Sequence, residues 1–130
     1  MTETSEDQQP APAAPTAQDP GCIFCRIAAG EVPADVVART GRVVAFRDLD
    51  PQAPLHVLVV PVDHHRDVPS LAAADPSLLA ELTATAGRVA AELGDGQFRL
   101  VFNTGAGAGQ SVFHVHGHVL AGRPLEWPPG

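Results

Sequence analysis

The chain has 130 residues, too few for more than one domain of ordinary size but enough to bury one hydrophobic core. Its eight positively charged side chains are all arginine, and its formal net charge at pH 7 is -7. This balance argues against nucleic acid or an anionic membrane as the main partner, although donors gathered in a cleft could still bind a small anion.

Residues 1–20 are dominated by Pro, Ala, Gln, Thr and acidic residues. Such a segment cannot bury enough apolar surface to offset the entropy lost on ordering, so we expect a disordered tail before a domain at residues 21–130. The tail has neither the basic nor the apolar region of a secretory signal, and no apolar run is long enough to span a bilayer. These features predict a soluble, cytoplasmic protein whose cysteines are reduced or bound to metal.

The first half of the domain is predicted to form a short helix and three strands. Residues 21–30 have an apolar helical face and end in glycine. Two β-branched runs at 36–38 and 43–46 flank a turn and indicate a hairpin. Residues 56–60 are nearly all apolar, which is typical of a central strand covered on both faces, and Pro61 should end it.

The second half is predicted to begin with a long helix. Asp75 can cap it, and apolar residues recur at helical spacing before Gly94, a pattern that predicts a buried stripe: Leu78, Leu82, Ala86, Val89 and Leu93. Residues 98–102 then form a strand. The whole pattern predicts an α+β domain with a mainly antiparallel sheet.

Three of the six histidines stand two residues apart in the run 113–120. In a strand, His114, His116 and His118 would share one face at spacings of roughly 6.6 Å. Imidazole can act as nucleophile, acid, base or metal ligand near neutral pH. The glycine-rich segment 103–112 could bring backbone N–H groups close to an anion. Together they suggest phosphoryl transfer through a covalent phospho-imidazole.

The two cysteines have the Cys22-x-x-Cys25 spacing of half a zinc site, but the sequence contains no second cysteine pair. From spacing alone, two buried and reduced thiols are the favoured interpretation, because free cysteine is among the most buried residue types.

The run from His114 to Leu120 resembles the His-φ-His-φ-His-φ-φ signature of the histidine triad superfamily. Further motifs resemble its Hint branch, the histidine triad nucleotide-binding proteins, and the similarity spans about residues 22 to 130. These motifs are Asn103 through Gln110-Ser111-Val112, Pro51-Gln52-Ala53-Pro54, Val59-Val60-Pro61 followed by His64, and Trp127-Pro128-Pro129-Gly130.

This resemblance implies an intertwined homodimer whose subunits each have a five-stranded antiparallel sheet, one long helix and one short helix. The implied activity is hydrolysis of purine nucleoside phosphoramidates through a nucleotidyl-histidine, with a purine nucleoside monophosphate as the bound product. Three alternatives stay open: dinucleoside polyphosphate hydrolysis, a non-catalytic module that binds purine nucleotides, and a catalytic metal held by all three triad histidines.

The resemblance also assigns roles to residues. His116 matches the nucleophile, His118 the residue that bonds the phosphate and leaving group, and Ser111 a group that also steers the leaving group. The phosphate contacts match Asn103, Gly109, Ser111 and Val112. Asp48 matches the acceptor of both ribose hydroxyls, although it could simply form an Asx-turn. The slot for the base, which could equally be plain core, matches Ile23, Phe24, Ile27, Phe46 and Leu49.

Some similar proteins complete a structural zinc site with two histidines, which here would be His64 and His114 beside Cys22 and Cys25. His65 is then expected at the surface and His56 is expected to be merely packed.

Gly117 departs from the family pattern, which has a large apolar residue at that position. A glycine there should leave a gap on the far face of the strand. We therefore expect Gly117→Leu to be tolerated or stabilising.

Overall fold

The computed structural model describes residues 3–5, 7–8 and 18–130. Most of the predicted tail lies outside the described residues, so its disorder and the boundary at residue 21 stay predictions. Two short strands of that region, β1 (Glu3–Ser5) and β2 (Asp7–Gln8), pair antiparallel with each other.

A five-stranded antiparallel sheet forms the body of the domain, in the order β3-β4-β5-β7-β6. Its strands are β3 (Val36–Arg39), β4 (Val43–Arg47), β5 (Leu55–Pro61), β6 (Arg99–Val101) and β7 (Gly117–Ala121). All seven residues of β5 are buried, as a continuous apolar run predicts for a strand covered on both faces. The predicted α+β class, hairpin and central strand are confirmed.

Three helices accompany the sheet: α1 (Ile23–Ala28), α2 (Val68–Ala74) and α3 (Pro76–Leu93). The sequence predicted α1 and α3 but not α2. That helix is short and buries only Leu71, so it offers no apolar period to recognise. Within the described residues, no helix combines the length and apolar character that crossing a bilayer requires.

The long helix α3 begins as predicted, with the Asp75 side chain accepting a hydrogen bond from the Leu78 amide. Four of the five residues in the predicted stripe are buried against the sheet: Leu78, Leu82, Ala86 and Val89. Leu93 is 42% exposed, so the prediction is wrong at that position. It is the last residue of the helix and lies beyond the packed surface.

The sheet separates two apolar clusters, because side chains alternate between its faces. On β5, Val57 and Val59 belong to the cluster that packs against α3. Leu58 and Val60 belong to the cluster that packs against α1. The histidines lie on the α1 side, since His118 pairs with Leu58 across β5 and β7.

The histidine segment is only partly a strand. Strand β7 begins at Gly117, so His114 and His116 precede it, and the prediction of a strand over 113–120 is wrong in extent. The Val115 amide instead donates to the His65 carbonyl oxygen at 2.7 Å. The rings nevertheless stay in contact on one side of the sheet, with the His116 and His118 ring centroids 5.1 Å apart.

The expected gap beside Gly117 is already filled. A Cβ atom there would lie 2.9 Å from Cδ1 of Leu100 and 3.1 Å from the Phe102 ring. The expectation of a gap is therefore wrong. Since the new side chain would have to displace two others, we now expect Gly117→Leu to be destabilising.

Candidate functional site

A cavity of about 300 Å³ lies between α1, the end of β4, the middle of β5 and the histidine segment. Ten of the residues predicted from the sequence line it. The apolar ones are Ile23, Phe24, Ile27, Phe46 and Leu49, joined by Val112 of the glycine loop. The polar ones are Asp48, Ser111, His116 and His118. The cavity therefore has an apolar wall beside a group of hydrogen-bonding and titratable side chains.

Part of the apolar wall also belongs to the hydrophobic core. Phe24, Ile27 and Phe46 are buried and belong to the core cluster beneath α1, and the Phe24 and Phe46 rings meet edge to face at 5.6 Å. The plain-core interpretation made from the sequence is thus confirmed for these three residues. They also line the cavity, and their role as a slot for a base stays a prediction. Leu49 is fully exposed, which places it at the rim of the cavity rather than in the core.

Asp48 forms an Asx-turn, which the sequence analysis gave as the alternative to a role in binding ribose. Its Oδ1 accepts a hydrogen bond from the Asp50 amide at 2.8 Å. Its Oδ2 lies 3.4 Å from Nε2 of His56. The carboxylate also lines the cavity, so the turn fixes its position without removing it from the site.

Two residues predicted to bind phosphate, Asn103 and Gly109, do not line this cavity. They lie next to each other, since a Cβ atom at Gly109 would be 3.7 Å from Nδ2 of Asn103. Gly109 has a φ of +95°, a conformation that favours glycine. The glycine loop therefore approaches the cavity through Ser111 and Val112.

Gln110 organises this loop, and sequence reasoning assigned it no role. Its buried side chain accepts from the Gly105 amide at 2.9 Å and donates to the carbonyl oxygens of Arg66 and Val112 at 2.8 and 3.0 Å. A polar residue inside a glycine-rich run was the available signal, but its three partners depend on the tertiary fold.

His116 is held in a defined tautomer. Its Nδ1 lies 2.8 Å from the His114 carbonyl oxygen, which can only accept, so Nδ1 carries the proton and Nε2 the lone pair. Burial lowers the pKa of His116, which keeps the ring neutral at pH 7. A neutral imidazole with a free Nε2 lone pair in a cavity can act as a nucleophile.

His118 is paired with His56, a residue that the sequence analysis treated as merely packed. His56 Nε2 lies 3.0 Å from His118 Nδ1. Burial, with the neighbouring rings of His116 and His56, lowers the pKa of His118 to about 4. Pairing β5 with the histidine segment would have placed these two rings diagonally across strands, but the register was not available from the sequence.

A second group of side chains could hold a metal ion: Cys22, Cys25, His64 and His114, whose ligand atoms all lie within 4.8 Å of one another. His114 Nδ1 is 3.4 Å from each cysteine Sγ and 3.2 Å from His64 Nδ1. Cys25 Sγ is 3.4 Å from His64 Nδ1.

These distances fit a tetrahedral zinc site. Ordinary Zn–S and Zn–N bonds place ligand atoms about 3.5 Å apart for sulfur and nitrogen and about 3.4 Å apart for two nitrogens. His114 Nε2 lies 2.9 Å from the Pro61 carbonyl oxygen, so it carries the proton and leaves Nδ1 free to bind metal. Burial raises the pKa of the Cys25 thiol to about 11, so a bound cation would have to displace its proton.

The alternative of one metal held by all three triad histidines is wrong. Both ring nitrogens of His114 are directed at the cysteine group and at Pro61. In the described part of the chain, the other group of side chains that could hold a metal is Asp48, His56 and His118, which includes only one histidine of the triad.

Comparison with known proteins shows the family of the chain. The HIT domain model matches residues 29–125. An uncharacterized HIT-like protein of Synechocystis is 50% identical over 112 residues, which cover 83% of this chain and 96% of that protein.

Two solved structures have the same fold. The crystal structure of a HIT family hydrolase from Legionella pneumophila has a TM-score of 0.81 and 44% identity, covering 85% of this chain and all of that one. A histidine triad nucleotide-binding protein from Candida albicans has a TM-score of 0.72 and 26% identity, covering 83% of each chain. With most of its length matched by the HIT domain model, the chain belongs to the HIT family.

Proposed function

We propose that this protein is a nucleotide hydrolase of the Hint branch, which cleaves the P–N bond of purine nucleoside phosphoramidates through a nucleotidyl group on His116. Its membership of the HIT family, with hydrolases among its structural neighbours, supports a nucleotide-related hydrolase. The observation that carries the proposal is the His116 ring, whose Nδ1 is bonded to the His114 carbonyl oxygen while the ring lines the cavity.

In this proposal the cavity binds the nucleotide along its length. The apolar wall of Phe24, Ile27 and Phe46 takes the purine, and Asp48 accepts hydrogen bonds from the ribose. Ser111 and Val112 contact the phosphate, and Asn103 and Gly109 support them from the glycine loop. Donors already fixed around the non-bridging oxygens would stabilise the charge that builds up there.

The reaction then has two balanced halves. The His116 Nε2 lone pair forms a bond to phosphorus as the P–N bond breaks, and the amine leaves with the bonding electrons and takes one proton from solvent. Water then attacks the same phosphorus, the His116–P bond breaks, and the ring recovers its lone pair. The water proton released in the second half replaces the one consumed in the first.

The direct test is turnover of adenosine 5′-phosphoramidate by the wild type and by His116→Ala. We expect a loss of at least ~10³-fold, the scale observed when a covalent nucleophile is removed. The matched control is His65→Ala, because His65 does not line the cavity and its hydrogen bond to the Val115 amide comes from its backbone carbonyl oxygen. Equal rates for wild type and His116→Ala would leave only the non-catalytic nucleotide-binding module.

Two further experiments test the covalent intermediate and the choice of substrate. Rapid quenching during turnover should give a protein adduct of one AMP group on His116 by mass spectrometry. Comparing the phosphoramidate with a diadenosine polyphosphate at equal concentration then decides the substrate. A higher kcat/KM for the polyphosphate would favour the sister branch of the superfamily.

We further propose that Cys22, Cys25, His64 and His114 bind one structural zinc ion, supported by the tetrahedral spacing of their ligand atoms. When bound, the ion would cross-link α1 to the segments that follow β5 and precede β7. Elemental analysis of protein purified without chelator should give one zinc per chain. A metal content far below one atom per chain would contradict the site.

We also propose the homodimer that the family resemblance implies. Large apolar side chains at the surface, Leu49 and Trp127, are consistent with a covering partner. Light scattering on the purified protein should give twice the chain mass of 13.5 kDa. The cytoplasmic location expected from the sequence stays a prediction.

A further inference from the structure

We propose that Arg66, stacked on Phe113 in a cleft beside the cavity, is a specificity-determining residue that binds a carboxylate carried by the leaving group of the substrate. The inference rests on the proposed hydrolase function and deepens it, because it names the class of amine that is released. The sequence analysis gave Arg66 no role.

The cleft adjoins the histidine-lined cavity and has a volume of about 480 Å³. Ile23, Ser111 and Val112 line both of them, so the two meet at residues proposed to contact the phosphate. The leaving amine is bonded to the same phosphorus as the nucleoside. With the purine against the apolar wall of the cavity, the adjoining cleft is the space into which the rest of the leaving group can extend.

Arg66 is held in this cleft by its backbone and by its side chain. Its carbonyl oxygen accepts a hydrogen bond from Nε2 of Gln110 at 2.8 Å, which ties it to the glycine loop. Its guanidinium carbon lies 4.4 Å from the centroid of the Phe113 ring, in a cation–π contact. Phe113 directly precedes His114. The charge is therefore placed by the same two segments that line the cavity, the glycine loop and the histidine segment.

The guanidinium keeps its hydrogen-bonding edge available to a ligand. Stacking occupies the face of the group, whereas its N–H donors lie in its plane. Within residues 18–130 these donors make no hydrogen bond to the protein, and the ion pair of Nε with Asp67 Oδ2 is long, at 4.0 Å. The Arg66 side chain is 65% exposed. A carboxylate matches this planar fork of donors and can accept two of them at once.

The surrounding charges favour a ligand with a single negative charge. Asp19 also lines the cleft, where its Oδ1 accepts a hydrogen bond from the Gly21 amide at 2.9 Å. Asp67, beside Arg66, accepts one from the Ser70 amide at 3.0 Å. Two carboxylates near one guanidinium would repel a dianion such as a phosphate monoester. The cleft therefore suits an amine that carries one carboxylate.

The test compares substrates that differ only in this charge. AMP amides of glycine, β-alanine and γ-aminobutyrate place a carboxylate at increasing distance from the scissile P–N bond, and the carboxamide of each is its neutral partner. The measured quantity is the ratio of kcat/KM for the carboxylate to kcat/KM for its carboxamide. Comparing this ratio between wild type and variants cancels the intrinsic reactivity of each amide and any general loss of active protein.

For Arg66→Gln we expect the ratio to fall by about 10-fold at the best-fitting chain length, on the scale of losing one charge-assisted pair. Arg66→Lys should keep part of the ratio, because lysine retains the charge but lacks the planar fork. The matched control is Arg88→Gln, which removes the same charge from α3, on the other side of the sheet. An unchanged ratio for Arg66→Gln at every length, or an equal fall for Arg88→Gln, would overturn the inference.

A binding measurement separates this inference from the proposed function. Calorimetry on His116→Ala, with and without Arg66→Gln, gives the affinities for the intact carboxylate and carboxamide conjugates. We expect the Arg66→Gln change to weaken binding of the carboxylate more than binding of the carboxamide. A wild type that binds with this preference but turns over neither conjugate would contradict the hydrolase alone. Turnover of both without the preference would overturn the subsite alone.

Discussion

At the scale of single residues, the site depends on which ring nitrogen of each histidine carries a proton. Two backbone carbonyl oxygens and one backbone amide settle this for three of the rings: Pro61 for His114, His114 for His116 and Gln52 for His56. The sequence placed the three triad histidines together because their spacing is local. It could not reveal His56 as a partner, since that contact joins residues 62 positions apart through strand register.

The low pKa of His118 predicts a pH dependence of stability. Its folded-state pKa of about 4 lies below the ordinary value of 6.5, so between those values the unfolded chain binds more protons. The contribution of His118 to the free energy of unfolding is therefore complete above about pH 6.5 and is lost as the pH falls towards 4.

Urea unfolding of wild type and His118→Asn between pH 4.5 and 7.5 checks this prediction. The difference between the two proteins isolates the ring from other acid-sensitive groups. We expect that difference to change by on the order of 1 kcal/mol, allowing for screening at a partly exposed side chain. A difference that is constant with pH would contradict the depressed pKa.

At the scale of secondary-structure elements, local patterns predicted β5 and α3 because each has a long, regular apolar signal. The predictions were incomplete or wrong where the local structure depends on tertiary packing. α2 has one buried residue, and β7 begins only at Gly117. The space beside Gly117 is filled by Leu100 of the neighbouring strand β6 and by Phe102, which follows that strand. None of these facts is encoded in a short window of sequence.

We expect Gly117→Leu to lower the free energy of unfolding by about 1–3 kcal/mol, the usual cost of overpacking. The control is Gly87→Ala on α3, where a Cβ atom meets nothing within 4 Å and should stabilise the helix by about 0.5–1 kcal/mol. Chemical denaturation measures both. A Gly117→Leu protein as stable as wild type would restore the expectation drawn from the sequence.

The glycine loop depends on Gln110, so we expect Gln110→Ala to be destabilising by about 2–3 kcal/mol. The substitution leaves the Gly105 amide and two carbonyl oxygens without their partner. Gln97→Ala, at an exposed position, should change stability by less than ~0.5 kcal/mol. Thermal or urea unfolding of the two variants makes the comparison, and equal effects would show that the loop does not need Gln110.

At the scale of the whole molecule, one domain carries the histidine-lined cavity and a Cys/His group that could hold a metal. The domain model, the relatives and the solved structures support the family assignment made from the triad motif. The spacing of Cys22 and Cys25 matched half of a zinc site, but from spacing alone two reduced thiols were the favoured interpretation. The completion of that site by His64 and His114 came from family resemblance, and the structure brings all four side chains together.

The proposed zinc ion joins three separate segments of the chain, so its removal should weaken the whole domain. We expect a chelator to lower the melting temperature of the wild type by at least about 5 °C, equivalent to about 1 kcal/mol for a chain of this size. Cys22→Ser should already melt lower and respond less to chelator. A wild-type melting temperature that is unchanged by chelator would argue against a structural metal.

His114 contributes to both sites at once. Its imidazole lies in the cysteine group, and its carbonyl oxygen holds the ring of His116. With zinc bound as proposed, the availability of zinc would affect the orientation of the His116 ring, because the same residue binds the ion and accepts the hydrogen bond from that ring. Under the proposed function, loss of zinc would loosen the backbone of His114, and with it the hydrogen bond that orients the His116 ring, so turnover would fall together with stability.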